Sequence, residues 1–152
     1  MTQDRDNRLS PSSRPNRARR ARIAAIQAHF QADYADEILN FVAEEFIRHR
    51  FVDFEGGKPD KKFFRTLIDY ILESQDQLPE LVSVHLTENW TLEKLDPVTR
   101  SILFVATAES ISGKTPPAIL ISEYVQITQG FTSDGESKFV NGVLSKIIEK
   151  LS

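Results

Sequence analysis

The residues best equipped for chemistry in this chain are arginines. Arg17, Arg19, Arg20 and Arg22 crowd into one short stretch, and Arg5, Arg8 and Arg14 precede them. A guanidinium is permanently charged, grips phosphate with a two-pronged fork, and is flat enough to stack on an unpaired base. Residues 1–22 carry seven arginines against Asp4 and Asp6, a balance of +5; with a total of −3, the rest of the chain stands at −8. A basic end on an acidic body is a cue for polyanion binding. The same charges could equally serve a solvated tail that aids solubility.

Other chemistry finds little support. With no cysteine, disulfides, thiolate metal sites and a Cys nucleophile are excluded. His29, His49 and His85 stand far apart, which opposes a metal site. The string EGGKP (Glu55 to Pro59) reads as a turn and lacks the spacing of a phosphate-binding P-loop. Glu44 and Glu45 read as helix surface charge, and nothing resembles a nucleophile elbow. The expectation is a binding module, with no catalytic residue, no metal and no cofactor.

The elements that must position the arginines read as helices. Residues 1–16 contain Pro11 and Pro15 and are predicted to be a flexible basic arm. Asn16 is a candidate cap for a first helix starting at Arg17, with Ile23, Ile26, Phe30 and Tyr34 at helical spacing. Further helices are predicted from about Asp36 to Arg50, from Asp60 to Ser74 and from Pro79 to Leu86. Asp96 and Pro97 form a cap-and-first-turn pair opening a fifth helix that Gly113 ends. That helix is apolar nearly all round and should be central. A sixth starts at Thr115 and Pro116 and ends at Gly130; a seventh buries Phe139, Val140, Val143, Leu144, Ile147, Ile148 and Leu151. The predicted fold is all-α, a compact bundle of about seven helices forming one domain over residues 17–152. There is no apolar run long enough to cross a bilayer, for which roughly 20 residues are needed. The start lacks the apolar segment of a secretory signal. A cytoplasmic location with no membrane contact is expected.

The most distinctive string is SKFVNGVLSKI, Ser137 to Ile147. A mid-helix glycine costs about 1 kcal/mol relative to alanine, so Gly142 suggests close approach of another helix. Asn141 beside it reads as a polar residue capping a neighbouring helix end inside the bundle. The string resembles the C-terminal signature of the NusB family, the bacterial transcription antitermination factors. RRARIAAIQAHFQAD is similar to that family's opening helix. LEKLDPVTRSILFVATAE is similar to its fifth helix, and PPAILISEYVQI followed by GFTSDGESKFVNGVL to its last two.

The resemblance implies an all-helical fold without enzymatic activity. It implies binding to boxA-type single-stranded RNA together with the ribosomal protein NusE. It implies indirect association with other Nus factors and RNA polymerase in rRNA transcription. Carried over residue by residue, the RNA-binding set is Arg17, Arg19, Arg20, Arg22 and Phe30, with Ser133, Asp134, Gly135, Glu136, Ser137 and Lys138 as a second segment and Phe139 for stacking. For the NusE-like partner the resemblance points to Glu93, Thr99 and Arg100. Three positions depart from the pattern: Ala118 and Gln129 stand where relatives often carry Lys, and Tyr124 replaces a usual Ala. Two lost cations would weaken a salt-dependent phosphate contact. The alternative reading is a helical protein-interaction module or homodimer without specific RNA recognition.

Overall fold

The computed structural model describes residues 10–132 and 134–152, with side chains from Arg17 onward except Asp134. Seven α-helices occur in the described residues: α1 (Ser10–Ala35), α2 (Leu39–Glu45), α3 (Lys61–Ser74), α4 (Leu78–Ser83), α5 (Pro97–Ser112), α6 (Pro117–Phe131) and α7 (Asp134–Leu151). There is no strand among these residues, as the helical periodicity predicted. The backbone of α1 is helical from Ser10, ahead of the expected start at Arg17. Residues 1–9 of the expected arm lie outside the described residues. The chain divides into two compact units, the first ending at Thr66 and the second running Leu67–Ser152.

In the first unit, α1 buries small residues. Ala21, Ala24, Ala25 and Ala28 are wholly inaccessible, while Tyr34 is 81% exposed. The larger apolar residues Ile23 and Phe30 are only half-buried. Alanine lets neighbouring backbone come close, so the buried stripe is built from the alanines together with Ile26, which is 1% exposed. Asp36, expected to open the second helix, instead adopts φ 56° and follows the end of α1. Aspartate is among the few side chains that tolerate this left-handed conformation. Helix α2 packs on α1 and continues into a wider π-type turn over Phe46–Arg50. Its hallmark is the Phe51 N–H donating to the Phe46 carbonyl, 3.0 Å away. Phe51 meets Phe64 edge-on at 4.9 Å, and Phe46 stacks on Phe64 at 6.4 Å.

In the second unit α5 is central, packing on α4, α6 and α7. Asp96 caps it as expected: its carboxylate accepts from the Val98 and Thr99 amides at 3.0 and 3.3 Å. Gly113 closes it in the left-handed region, at φ 70°. Gly130 does not end α6, which runs one residue further. There the Thr132 amide and hydroxyl both donate to the Thr128 carbonyl, a local closure that needs no glycine. Within α7, Val140, Val143, Leu144, Ile147 and Ile148 are buried, as the spacing implied, but Leu151 is 40% exposed. The reading of Asn141 and Gly142 is corrected. Both are exposed, and a Cβ built on Gly142 would meet nothing within 4 Å. Asn141 accepts from Ser145 one turn on, at 3.5 Å, and caps no other helix.

Candidate nucleic-acid interface

The arginines divide into two kinds. Arg17 is exposed and Arg19 and Arg20 are partly exposed, whereas Arg22 is only 7% exposed and lies over the Phe63 ring at 4.9 Å. Arg22 therefore serves as packing for α1 and offers little surface to a ligand. The periodicity explains why: Arg22 follows Ala21 and leads into the buried alanines, so helix geometry turns it inward.

Arg20 has a built seat. The turn predicted at EGGKP folds over it, with Gly56 and Gly57 at φ 88° and 120°. A Cβ on Gly57 would come within 3.3 Å of the Arg20 guanidinium. The Arg20 Nε donates to the Lys58 carbonyl at 3.3 Å, and the Asp60 amide donates to the Arg17 carbonyl at 3.1 Å. The two glycines are thus a place where conformation and close approach both demand glycine. Partial burial, and then the charge of Arg17, pulls the Arg20 guanidinium below its ordinary value. An arginine so shifted stays charged near neutral pH. A cation placed against a like charge gains when an anion arrives between the two.

Phe30 is half-buried and stacks nearly parallel on exposed Tyr34, with ring centroids 5.8 Å apart. The sequence reading passed over a second group of basic residues on this unit. The π-type turn displays Arg48, His49 and Arg50 at the surface. Arg50 lies 4.6 Å over Phe46 and donates to Gln31 at 3.2 Å. The run FIRHR was visible in the sequence, but its display depends on the wider turn.

In the second unit, the segment expected as a loop, Ser133 to Lys138, is largely the first turn of α7. Ser133 and the Asp134 side chain lie outside the described residues. Gly135 and Lys138 are exposed, while Ser137 is 5% exposed. Glu136 faces inward and accepts from the Thr99 hydroxyl at 2.8 Å. That bond also removes Thr99, wholly buried, from the surface expected to meet a protein partner. Its role is to tie α7 to the capped start of α5. Glu93 stays exposed on the turn Leu92–Lys94. Arg100 is half-buried and donates to the Leu92 carbonyl at 3.2 Å, pinning that turn. Phe139 is half-buried against Trp90, at 5.9 Å between centroids. No group of three or more His, Asp or Glu among the described residues could hold a metal ion. Among the described residues, no helix is long and apolar enough to cross a membrane.

The sequence model of the NusB family matches residues 19–149. The transcription antitermination protein NusB of Gluconobacter oxydans is 37% identical over 147 residues, covering 91% of this chain and 91% of that protein. That of Agrobacterium fabrum is 34% identical, covering 93% and 89%. The solved structure of T. maritima NusB superposes with a TM-score of 0.73 at 32% identity, covering 88% of this chain and 91% of that one. A structure of antitermination factors NusB and NusE in complex with dsRNA shares the fold, with a TM-score of 0.75 at 21% identity over 89% and 98% of the two chains. By the span of the family match and the identity of these relatives, the chain belongs to the NusB family.

Proposed function

We propose that this chain is a transcription antitermination factor that binds RNA in concert with the ribosomal protein NusE. Its RNA is single-stranded and of boxA type, and the working pair acts on RNA polymerase with other Nus factors in the cytoplasm. The observation that carries this reading is the seating of Arg20. A Gly-Gly turn fixes a guanidinium at the surface beside Arg17, on a chain whose other residues are net acidic. Solubility alone asks for no such seat. Named relatives that are antitermination proteins, and a fold shared with a protein solved with NusE and RNA, support the same conclusion.

The division of labour follows from the charges. Arg17, Arg19 and Arg20 meet phosphates, and Gly135, Lys138 and Phe139 meet RNA from the second unit. The acidic remainder, with Glu93 exposed on the turn that Arg100 of α5 pins, suits a basic protein partner. Binding here is recognition and carries no bond-making step, so the proposed role is non-enzymatic.

The test is binding of labelled boxA-type RNA against a scrambled sequence, across salt, with and without NusE. The expected result is preference for boxA, tighter with NusE. In the Arg19→Ala, Arg20→Ala double variant the salt slope should fall by about 1.4, from roughly 0.7 per phosphate contact on a single strand. Sequence-blind binding that NusE leaves unchanged would overturn the proposal and favour a protein-interaction module or homodimer.

A further inference from the structure

Trp90 is the only tryptophan in the chain. It stands in a polar stretch, TENWT, where neither periodicity nor the functional reading gave it work. It is 43% exposed and leans on Phe139 with ring planes tilted by 55°. Both sides of Trp90 are fixed. Its own amide donates to the Thr87 carbonyl at 2.9 Å. The turn after it is closed by the Lys94 amide on the Thr91 carbonyl and held by Arg100 on the Leu92 carbonyl. On the other side, Glu136, three residues before Phe139, is tied to Thr99. Lys94 and Lys138 are exposed on the segments that carry the two rings, and so is Glu93.

We infer that Trp90, backed by Phe139, is a preformed stacking platform for an unpaired base of single-stranded RNA. The inference rests on the RNA-binding reading above and adds a residue and a mode of recognition to it. An aromatic face held rigid before binding loses little freedom when a base settles on it. Stacking needs no particular base, because every base has a π-face. The platform adjoins the start of α7, the second segment of that reading, so a strand engaged by Lys138 would bring bases over it. A purely structural role, clasping the α4–α5 connection to α7, would require the contact with Phe139 but not the exposed area of the indole.

Because Trp90 is the sole indole, its emission reports on this position alone. The full chain is titrated with short unlabelled single-stranded RNA of boxA type while tryptophan emission is followed. The fully paired duplex of the same sequence is the control, and anisotropy of labelled RNA gives total binding in parallel. The expected result is quenching by the single strand and not by the duplex. Trp90→Leu, which keeps an apolar contact for Phe139, should weaken binding about tenfold; Trp90→Phe should recover most of it. The salt slope should be unchanged by Trp90→Leu, since stacking neutralises no phosphate. Labelled RNA that binds with emission and Trp90→Leu affinity unaltered would overturn the platform and leave the RNA reading standing. Emission that responds to NusE alone and not to RNA would overturn it in favour of a protein contact. No RNA binding by either readout would overturn both.

Discussion

The Tyr124 hydroxyl donates to Glu109 Oε1 at 2.6 Å, and neither side chain reaches water. The other carboxylate oxygen accepts from the Thr115 hydroxyl at 2.7 Å. Tyr124 is therefore a donor to a buried acid, joining α6 to α5. Buried carboxylates need such donors, and one left short costs about 1–3 kcal/mol. Tyr124→Phe should lower the thermal midpoint, by about 2–4 °C for each kcal/mol in a chain of this length. RNA affinity of the folded variant should be unchanged. Thermal unfolding followed by circular dichroism, with RNA binding measured at a temperature where the variant is folded, checks both halves.

Gly142 leads to a prediction against intuition. A glycine within a family signature would ordinarily be left alone, yet here it is exposed with open space where a Cβ would go. Replacing helix-interior glycine by alanine gains about 1 kcal/mol. Gly142→Ala should raise the denaturant midpoint without changing the slope of the transition. A lowered midpoint would mean that the helix meets something at this position.

The start of α5 was the most legible part of the fold, because its chemistry is local. Asp96 followed by Pro97 announces a helix, and Gly113 announces its end, without knowledge of anything distant. Arg22 was illegible for the opposite reason. Whether a guanidinium is a ligand contact or packing depends on Phe63, forty-one residues away in sequence. The burial of Thr99 was illegible likewise: its hydroxyl donates to Glu136, a partner no spacing rule connects to it. Trp90 had no periodic neighbours to give it meaning. In α1 the helical period was legible, but spacing alone did not tell that the alanines and Ile26 form the buried face while Ile23 and Phe30 stay half-buried.

The Asp96 cap can be tested directly. Removal of an aspartate cap costs about 1 kcal/mol. Asp96→Ala should show that loss, and Asp96→Asn should recover most of it because asparagine also accepts from the helix amides. Thr99→Val makes a useful companion. It removes the donor to Glu136 while keeping the shape, and should loosen the first turn of α7, seen as faster amide exchange there than in the rest of the helix.

Gly57 offers the sharpest separation of scaffold from ligand contact. It touches no ligand in the proposed scheme, yet at φ 120° it holds the turn on which the Arg20 guanidinium rests. Alanine there is strained by the backbone conformation and crowds the guanidinium from 3.3 Å. A non-glycine residue in such a region costs on the order of 1–3 kcal/mol. Gly57→Ala should therefore lose stability and also weaken RNA binding, with a smaller salt slope as Arg20 leaves its place. In the Arg20→Ala background the same substitution should still cost stability but weaken RNA binding no further. Independent losses in RNA affinity from the two changes would mean that the turn acts on RNA by a route other than seating Arg20. A double-mutant cycle on RNA affinity distinguishes the outcomes, because residues that act through one contact fail to add.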